Sequence, residues 1–249
     1  MKTTLITLGA IIALSTGLLA EATAPKGEAS ADMTKAAHKK ADTTGKILTQ
    51  SKDIFVANQA NPKRRIPDEI LAEADAVLIV RMTRGAIGIG AAEGEGIATK
   101  NNVDNWSPPA FYKVGSGSLG IQLAANQSDI VALFMNPKAA DMLYKQKFQW
   151  GVGLNAEAGP VGGQVGLNTW QDADVLVYDT RKGLSVGVQI SGGSLVYDKT
   201  LNDAEYDKEG ITAKQILGST VEMPKEAIAL TDLLREYSFV NTQPENAKK

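Results

Sequence analysis

The stretch that decides the fold is residues 76–82, which read Ala-Val-Leu-Ile-Val-Arg-Met. A short run of aliphatic and β-branched side chains, bounded by turn-forming residues, is typical of a buried strand. Similar short apolar runs recur along the chain, and each predicts a further strand. The predicted strands after residues 76–82 are 87–89, 111–114, 119–124, 130–135, 150–156, 161–167, 175–178, 184–190 and 194–197.

Helical patterns flank this series of strands and interrupt it once. Apolar residues three and four positions apart, together with proline and acidic residues at helix starts, indicate these helices. The predicted helices are 34–58, 67–74, 137–145, 212–217 and 224–237. Many short strands joined by turns indicate an antiparallel sheet that is barrel-like or sandwich-like. The predicted fold class is therefore α+β, with one extensive sheet.

Glycine is concentrated in the strand region. Eighteen of the 24 glycines lie between Gly85 and Gly193, within the predicted strands as well as between them. Because glycine weakens a strand, this density requires bulges, sharp bends or the close approach of another backbone segment. A strongly coiled sheet wrapped around a helix would satisfy these requirements.

The first 22 residues have the three parts of a secretion signal. Met1-Lys2 is a short basic end, residues 5–20 form an apolar core, and Ala20-Glu21-Ala22 is a small-x-small cleavage pattern. We expect cleavage after Ala22, or alternatively after Ala20, and export to the periplasm or beyond. The apolar core has about 16 residues, fewer than the ~20 that span a bilayer, which argues against a membrane anchor.

The chain of 249 residues contains no cysteine. This excludes disulfides, thiol catalysis, thiolate metal sites and the lipid-modified cysteine of a bacterial lipoprotein. The part after the signal is long enough to bury most of its apolar surface and to be held together by packing alone. We expect a signal peptide at 1–22, a flexible linker at 23–33, one domain at 34–240 and a polar tail at 241–249.

Charge is unevenly distributed, although the formal net charge of the chain is only −2. Residues 33–65 contain eight Lys/Arg and two acids, a net charge of +6. Residues 66–249 contain sixteen Lys/Arg and 23 acids, a net charge of −7. A basic front indicates an anionic partner for that segment, whereas the acidic body would be repelled by nucleic-acid phosphates.

The predicted helix 34–58 has one apolar and one charged face. Its apolar face contains Ile47, Leu48, Ile54 and Phe55, and a basic turn at residues 63–65 follows it. Two interpretations stay open. In the first, the helix lies on an anionic membrane with these four apolar side chains facing the lipid. In the second, the four side chains pack on the sheet and the charged face is merely solvated.

Three further motifs fail as sites for chemistry. Residues 115–120 satisfy G-x-G-x-x-G, but a strand-like alternation follows them where a dinucleotide fold needs a helix. The single histidine, His38, lies in the basic helix, and we interpret it as a solvated residue rather than part of a catalytic triad. The acidic loop 203–210 has Lys208 where an EF-hand needs glycine. We therefore expect no cofactor and no metal.

The carboxylate pairs Glu93 with Glu95 and Asp172 with Asp174 are the remaining candidates for catalysis. Their spacing places both members of a pair on one face of a strand, which is the pattern of solvated surface residues. An enzyme hypothesis depends on these groups. It gains support only if a deep cleft gathers Glu93, Glu95 or Asp172 with perturbed ionisation.

A series of short motifs between residues 66 and 217 is more specific than any of these. They are Ile66-Pro67, residues 84–88, Gly94-Glu95-Gly96, Trp106-Ser107-Pro108-Pro109, residues 117–120, Asp129-Ile130-Val131, residues 151–153, residues 158–162, residues 182–188, Asp198 with Asn202 and Tyr206, and residues 211–217. In this order the motifs resemble the SYLF domain family, a lipid-binding module that is also described as an actin-binding domain in yeast proteins.

The resemblance implies binding of anionic phospholipids by the basic N-terminal helix and the turn after it, with no enzymatic activity. The lipid-binding residues it implies are Lys35, Lys39, Lys40, Lys46, Lys52, Lys63, Arg64 and Arg65. Eukaryotic members act in the cytosol, so the predicted export argues against actin and phosphoinositides and, in a bacterial host, for phosphatidylglycerol or cardiolipin. The alternative is an envelope scaffold that binds another protein through the sheet surface.

Overall fold

The computed structural model describes residues 26–62, 65–84, 92–102, 105–116, 127–149, 153–161, 171–179 and 193–238. The described residues fall into two units: residues 26–36, which are helical, belong to one, and the described residues from Ala37 onward belong to the other. The side-chain contacts described below lie within the larger unit.

The described chain has an α+β arrangement, as the sequence predicted: two helices precede the first four strands, one helical segment separates these from the next four, and three helices follow. The helices are α1 (Lys26–Gln59), α2 (Asp68–Ala72), α3 (Pro137–Ala140, continued by a 3₁₀ turn at Asp141–Tyr144), α4 (Lys199–Glu205), α5 (Ala213–Leu217) and α6 (Lys225–Ser238). The strands are β1 (Ala76–Arg84), β2 (Ala92–Lys100), β3 (Ala110–Ser116), β4 (Gln127–Phe134), β5 (Lys147–Gln149), β6 (Ala156–Ala158), β7 (Val175–Asp179) and β8 (Gly193–Tyr197).

The described strands form one sheet in the order β5-β8-β3-β2-β1-β4-β7-β6, which curls into a half-barrel. Neighbouring strands are antiparallel, except that β6 runs parallel to β7. The prediction of one extensive, coiled and largely antiparallel sheet is confirmed. Strand β1, which contains the apolar run 76–82, pairs with β2 on one side and β4 on the other.

Strand β1 is buried on both faces, which explains its almost continuously apolar sequence. Leu78 and Val80 belong to the core on one face, which is completed by residues of α3, its 3₁₀ turn and α5. Val77 and Ile79 belong to the core on the other face, which is completed by residues of α1, α2 and α6. Helices therefore cover both faces of this part of the sheet.

Helix α4 is tied to the start of β3 by three of the motif residues. Asn202 is fully buried, and its amide accepts a hydrogen bond from the Phe111 N–H at 2.9 Å and donates one to the Phe111 carbonyl at 2.9 Å. The Tyr206 hydroxyl donates to the Pro109 carbonyl at 2.6 Å. Asp198 caps α4 by accepting from the Leu201 N–H at 3.2 Å. Their spacing in the sequence thus reflects one structural joint.

Close approach explains a part of the glycine content. Gly96 of β2 is buried against β1, and a Cβ atom there would collide with the Ile79 carbonyl oxygen. Gly159, just after β6, lies against the ring of Tyr178, which would collide with a Cβ atom in the same way. At these two positions the missing side chain is what lets neighbouring groups pack.

The structure differs from the sequence predictions at several elements. Helix α1 begins at Lys26, so residues 26–33 of the predicted linker are helical, because alanine, lysine and glutamate in this stretch favour helix. Strand β2 was not predicted, since Glu93-Gly94-Glu95-Gly96 has the composition of a turn and its stability comes from pairing on both sides. The short elements α4, β5 and β6 were also missed, and residues 153–155 of the predicted strand 150–156 do not form a strand.

Several predictions lie outside the described residues. They are the signal peptide at 1–22, the predicted strands 87–89, 119–124 and 184–190, most of 161–167, the start of 150–156, and the tail at 241–249. Among the helices that the structure describes, none combines the length and the apolar character that crossing a bilayer requires.

Candidate functional site

The second half of α1 packs on the sheet, in the core that also contains α2 and α6. Ile47, Leu48, Ile54 and Phe55 are at most 2 % exposed, and the Phe55 ring packs edge-on against Tyr237 of α6 with centroids 5.9 Å apart. The prediction that these four side chains face a membrane is therefore wrong for this structure. An amphipathic pattern records only which face avoids water, and here the sheet covers that face.

Polar residues fix the C-terminal end of α1 to the chain that follows it. The Asn58 and Gln59 side-chain oxygens accept hydrogen bonds from the Ile66 N–H at 3.3 and 2.9 Å. The Gln59 amide also donates to the Ile66 carbonyl at 3.3 Å. Both side chains are buried, so the turn after α1 is held by a polar clamp.

The predicted basic residues are distributed over different environments. Lys39, Lys40 and Lys46 are exposed on α1, with Lys46 about two helical turns after Lys39. Lys52 is half-buried, and its Nζ lies 3.7 Å from a carboxylate oxygen of Asp53. The backbone of Lys35 is helical but its side chain is outside the described part, as are Lys63 and Arg64 entirely.

Arg65 makes specific contacts within the protein. Its Nη2 lies 2.5 Å from an oxygen of Asp68, and its guanidinium lies over the Tyr237 ring, 5.9 Å from the centroid. Tyr237 also contacts Phe55 of α1. Phe55 lies sixteen residues after Lys39, which is about 24 Å along the helix axis at ~1.5 Å per residue. The described basic residues therefore form no single patch, and Lys39, Lys40 and Lys46 are those that lie together.

Around Lys39 the helix stands clear of the core. The four consecutive side chains Lys39, Lys40, Ala41 and Asp42 are all exposed, although they point in four different directions around α1. The buried face begins only at Thr44. The lysines are thus presented on a helical segment that the described sheet does not cover.

A second feature, which we call the polar cleft, lies between α1 and the strands β1, β2, β3 and β8. It has a volume of about 600 Å³, within the roughly 300–1,000 Å³ range of small-molecule sites. Its lining residues come from both sides: Gln50 from α1, and Arg81, Thr83, Glu93, Gly94, Glu95, Lys113, Val114, Gly115, Ser194 and Val196 from the strands.

Strand pairing places charges of alternating sign across the floor of the polar cleft. In the sheet register Asp129 of β4 lies opposite Arg81 of β1, which lies opposite Glu95 of β2, which lies opposite Lys113 of β3. The next row contains Thr83, Glu93, Gly115 and Ser194. Since side chains two residues apart share a face, this charged surface continues the apolar face formed by Val77 and Ile79.

Both cations of the polar cleft have carboxylate partners. Arg81 Nε and Nη2 donate to the two oxygens of Asp129 at 2.6 and 3.0 Å. Lys113 Nζ lies 2.8 Å from Asp198 Oδ2. Asp129 and Asp198 are 7 % and 4 % exposed as residues, so both are shielded from water and hold their cations in place.

The two glutamates of the polar cleft are different. Glu93 and Glu95 are exposed, and within the described residues neither carboxylate takes part in a hydrogen bond or salt bridge. Glu93 and Glu95 were among the carboxylates considered from the sequence as groups that a cleft could bring together. Both line the polar cleft. Asp172 is not among the lining residues.

Sequence reasoning missed the cationic half of the polar cleft. The available signal was the change from apolar Val77 and Ile79 to polar Arg81 and Thr83 at alternate positions of one strand. Such a change indicates that one face leaves the core partway along the strand. Its partners Lys113 and Ser194 could not be inferred, because they are brought in by strands remote in sequence.

No metal centre is evident in the part of the chain that the structure describes, where no three His, Cys, Asp or Glu side chains form a cluster that could hold an ion. Asp203, in the acidic loop considered as a calcium site, is instead paired with Lys199 of the same helix. The described residues therefore form two features suited to binding, which are the exposed lysines of α1 and the polar cleft.

Comparison with known proteins supplies further findings. Residues 115–237 match the family model described as "Ysc84: Las17-binding protein actin regulator". The chain is also similar to the SH3 domain-containing YSC84-like protein 1 of Xenopus laevis, with 23% identity over 189 residues. That alignment covers 74% of this chain and 56% of the Xenopus protein, so the chain spans about half the length of the curated relative it matches. No solved structure matches the chain.

Proposed function

Because this chain belongs to the SYLF domain family, a family of binding domains linked to lipids or actin-related proteins, we propose that it binds anionic phospholipid surfaces and catalyses no reaction. The binding residues are those of the basic face of α1, which we define by Lys39, Lys40 and Lys46. The observation that carries the proposal is the exposure of these three lysines: Lys39 and Lys40 lie on the segment of α1 that stands clear of the core, and Lys46 lies on the solvent side of the packed segment that follows.

The basic face of α1 binds by charge. Each lysine near an anionic lipid surface contributes about 1 kcal/mol, so three together contribute about 3 kcal/mol. Exposed Asp42 lies in the same segment and subtracts from this attraction. Binding is therefore moderate in strength and weakens as salt is added, because exposed charges are screened within about 8 Å at physiological ionic strength.

Insertion of apolar side chains is not part of this proposal. Ile47, Leu48, Ile54 and Phe55 are covered by the sheet and by α6, and releasing them would expose the core. The protein thus lies on the headgroups without opening its fold. Lys35, Lys63 and Arg64 remain candidates for additional lipid contacts, whereas Lys52 and Arg65 already have the acidic neighbours Asp53 and Asp68.

The cellular setting is part of the proposal. A secretion signal at 1–22 would place the basic face outside the cytoplasm, where, in a bacterial host, phosphatidylglycerol and cardiolipin are the suitable anionic lipids and actin is not a partner. We propose no scaffold function through the sheet surface. In the described region helices cover both faces of the central strands, which leaves little open sheet for a protein partner.

Vesicle co-sedimentation tests the proposal directly. The protein without residues 1–22 is mixed with vesicles of phosphatidylcholine alone, or of phosphatidylcholine with phosphatidylglycerol or cardiolipin. We expect pelleting only with the anionic vesicles and release at high salt. Pelleting to the same extent with neutral vesicles, or no pelleting with either, would contradict the proposal.

Matched charge variants assign the binding to the basic face. The triple variant Lys39→Gln, Lys40→Gln, Lys46→Gln should reduce the vesicle partition coefficient about a hundredfold, the equivalent of ~3 kcal/mol. The control is Lys138→Gln, Lys145→Gln, Lys147→Gln, which removes the same charge from exposed lysines near β5. An equal loss of binding in both variants would show that only net charge matters.

A further inference from the structure

The polar cleft has a charge pattern that the lipid-surface proposal does not use. Its two cations are already matched, since Arg81 binds Asp129 and Lys113 binds Asp198. The carboxylates of Glu93 and Glu95 are additional and have no partner within the described residues. These six groups together leave two negative charges facing a concave space, which favours a cation and disfavours an anion.

We propose that the polar cleft binds a small organic molecule carrying an ammonium group, with Glu93 and Glu95 as the groups that receive the positive charge. The two glutamates are separated by one residue of β2 and therefore lie on the same face, about 7 Å apart at their Cα atoms. An ammonium group placed between them can donate charge-assisted hydrogen bonds to both carboxylates.

The other lining residues suit the rest of such a molecule. Gln50, Thr83 and Ser194 provide neutral donors and acceptors on both sides of the polar cleft. Asp129 uses only two of the five N–H donors of Arg81, and the remaining donors can bind a hydroxyl or phosphoryl oxygen of the ligand. Val196 adds apolar surface. The polar cleft therefore surrounds the carboxylates of Glu93 and Glu95 with further hydrogen-bonding groups.

Gly115 provides room at the floor of the polar cleft. It lies opposite Glu93 in the sheet register, in a position where a side chain would otherwise project into the space. A Cβ atom there would meet only the Ser194 hydroxyl, at 3.5 Å, which is an ordinary contact. A side chain at position 115 would therefore fill part of the cleft without a clash in the sheet. Substitution of Gly115 thus tests whether binding needs this space.

The ammonium group could come from a free amine or from the headgroup of a lipid such as phosphatidylethanolamine. The position of the polar cleft is compatible with both, since Gln50 lies one helical turn beyond Lys46 of the basic face. The chemistry that the glutamates recognise is the same in the two cases. The inference does not rest on the lipid-surface proposal, because soluble probes test it without vesicles.

Titration of the protein followed by NMR is the experiment. The probes are ethanolamine, glycerophosphoethanolamine and, as an anion without ammonium, glycerophosphoglycerol. We expect the ammonium compounds to shift the backbone amides of Glu93, Glu95 and Gly115 in a saturable manner, and glycerophosphoglycerol to leave them unchanged. Tighter binding of glycerophosphoethanolamine than of ethanolamine assigns the site to a lipid headgroup, and equal binding assigns it to a free amine.

Two variants make the test specific. Glu93→Gln with Glu95→Gln should weaken ammonium binding about tenfold or more, because charge-assisted hydrogen bonds become neutral ones. The matched control is Glu222→Gln with Glu236→Gln, at two exposed glutamates elsewhere, which should leave binding unchanged. Gly115→Val should abolish binding by filling the space, with a folded sheet verified by circular dichroism.

Three results overturn the inference. One is the absence of saturable shifts with any ammonium probe. Another is equal binding of glycerophosphoglycerol, which would show that the carboxylates do not select the ligand. The third is unchanged affinity in the Glu93→Gln, Glu95→Gln protein. These substitutions are at exposed positions, so the last result can be obtained on folded protein even if Gly115→Val does not fold.

Discussion

Arg81 of β1 holds Asp129 of β4 by two hydrogen bonds across the sheet, from Nε at 2.6 Å and from Nη2 at 3.0 Å. The two residues lie directly opposite each other in the register. The Arg81 side chain is 30 % exposed and the Asp129 side chain is 9 % exposed. The pair therefore lies at the boundary between the core and the polar cleft. This pairing neutralises the arginine and leaves Glu93 and Glu95 to set the charge of the cleft.

Loss of the arginine should destabilise the fold. Arg81→Ala removes both N–H donors from a carboxylate that is nearly buried, and we expect the free energy of unfolding to fall by about 2–3 kcal/mol. Urea denaturation followed by circular dichroism measures it. The control is Arg235→Ala, whose partner Asp232 is at 2.7 Å but half-exposed, and which should cost less than about 1 kcal/mol.

The joint between α4 and β3 depends on Asn202. Asn202→Ala leaves the buried N–H of Phe111 without a partner, whereas the Phe111 carbonyl keeps the hydrogen bond from the Asp198 N–H at 3.0 Å, so the unfolding free energy should fall by roughly 1–3 kcal/mol. Differential scanning calorimetry of this variant and of Thr200→Ala, at an exposed position of the same helix, provides the comparison. A loss of similar size in both variants would contradict the role given to the Asn202 amide.

Two glycines on neighbouring strands should respond differently to the same substitution. Gly96→Ala drives a methyl group into the Ile79 carbonyl, which requires the β1–β2 pair to separate and should cost about 2 kcal/mol or more. Gly115→Ala meets only an ordinary contact with Ser194 and should be near neutral. Chemical denaturation of the two variants side by side distinguishes close strand approach from a general intolerance of the sheet.

The buried position of α1 can be tested at two adjacent residues. Phe55→Ala should reduce the unfolding free energy by about 3–5 kcal/mol, because it opens a cavity beside Tyr237 in the core. Val56→Ala, at a side chain that is 44 % exposed, should change it by less than about 1 kcal/mol. If the apolar face of α1 were held for a membrane instead, both substitutions would leave stability in solution nearly unchanged.

Glu205 should make stability depend on pH. Burial raises the pKa of Glu205, a hydrogen bond with Thr44 of α1 opposes the rise, and the charge of Glu226 adds to it. A carboxyl group whose pKa is higher in the folded state favours folding when protonated, so its contribution is full below pH 4.5, the reference value, and is lost as pH rises through the folded pKa. Glu205→Gln should therefore stabilise the protein at neutral pH.

The measurement is a pair of denaturation curves at neutral pH and near pH 4. The gain from Glu205→Gln should be largest at neutral pH and should almost vanish at the acidic pH, where glutamate is itself protonated in both states. Glu236→Gln, at an exposed position on α6, serves as the control and should show no such difference. A gain of equal size at both pH values would contradict the ionisation argument.

Local sequence patterns predicted most of the described elements correctly. Strands β1, β4 and β7 and helices α5 and α6 lie where apolar periodicity placed them, since each buries a pattern that is complete within a few residues. Strand β2 could not be found in this way. Its alternating glutamates and glycines lack the apolar residues of a strand, and it exists because β1 and β3 pair with it on both sides.

The candidate sites were predictable only in part. The basic face of α1 was visible in the sequence, because the lysines are close together in the chain. The prediction also included Arg65, which the structure pairs with Asp68, and four apolar residues, which the structure buries. Neither fact is encoded by helical periodicity, which is the same for a helix on a membrane and a helix on a sheet.

The polar cleft shows most clearly what was beyond the sequence. By itself the sequence determined the series of strands flanked by helices, the basic front, the lack of any cysteine chemistry and the resemblance to the SYLF family. Only the tertiary structure decided that α1 packs on the sheet and that Glu95, Arg81 and Lys113 share one surface. The physical reason is that local patterns depend on neighbours along the chain, whereas cleft and core depend on contacts between residues far apart in it.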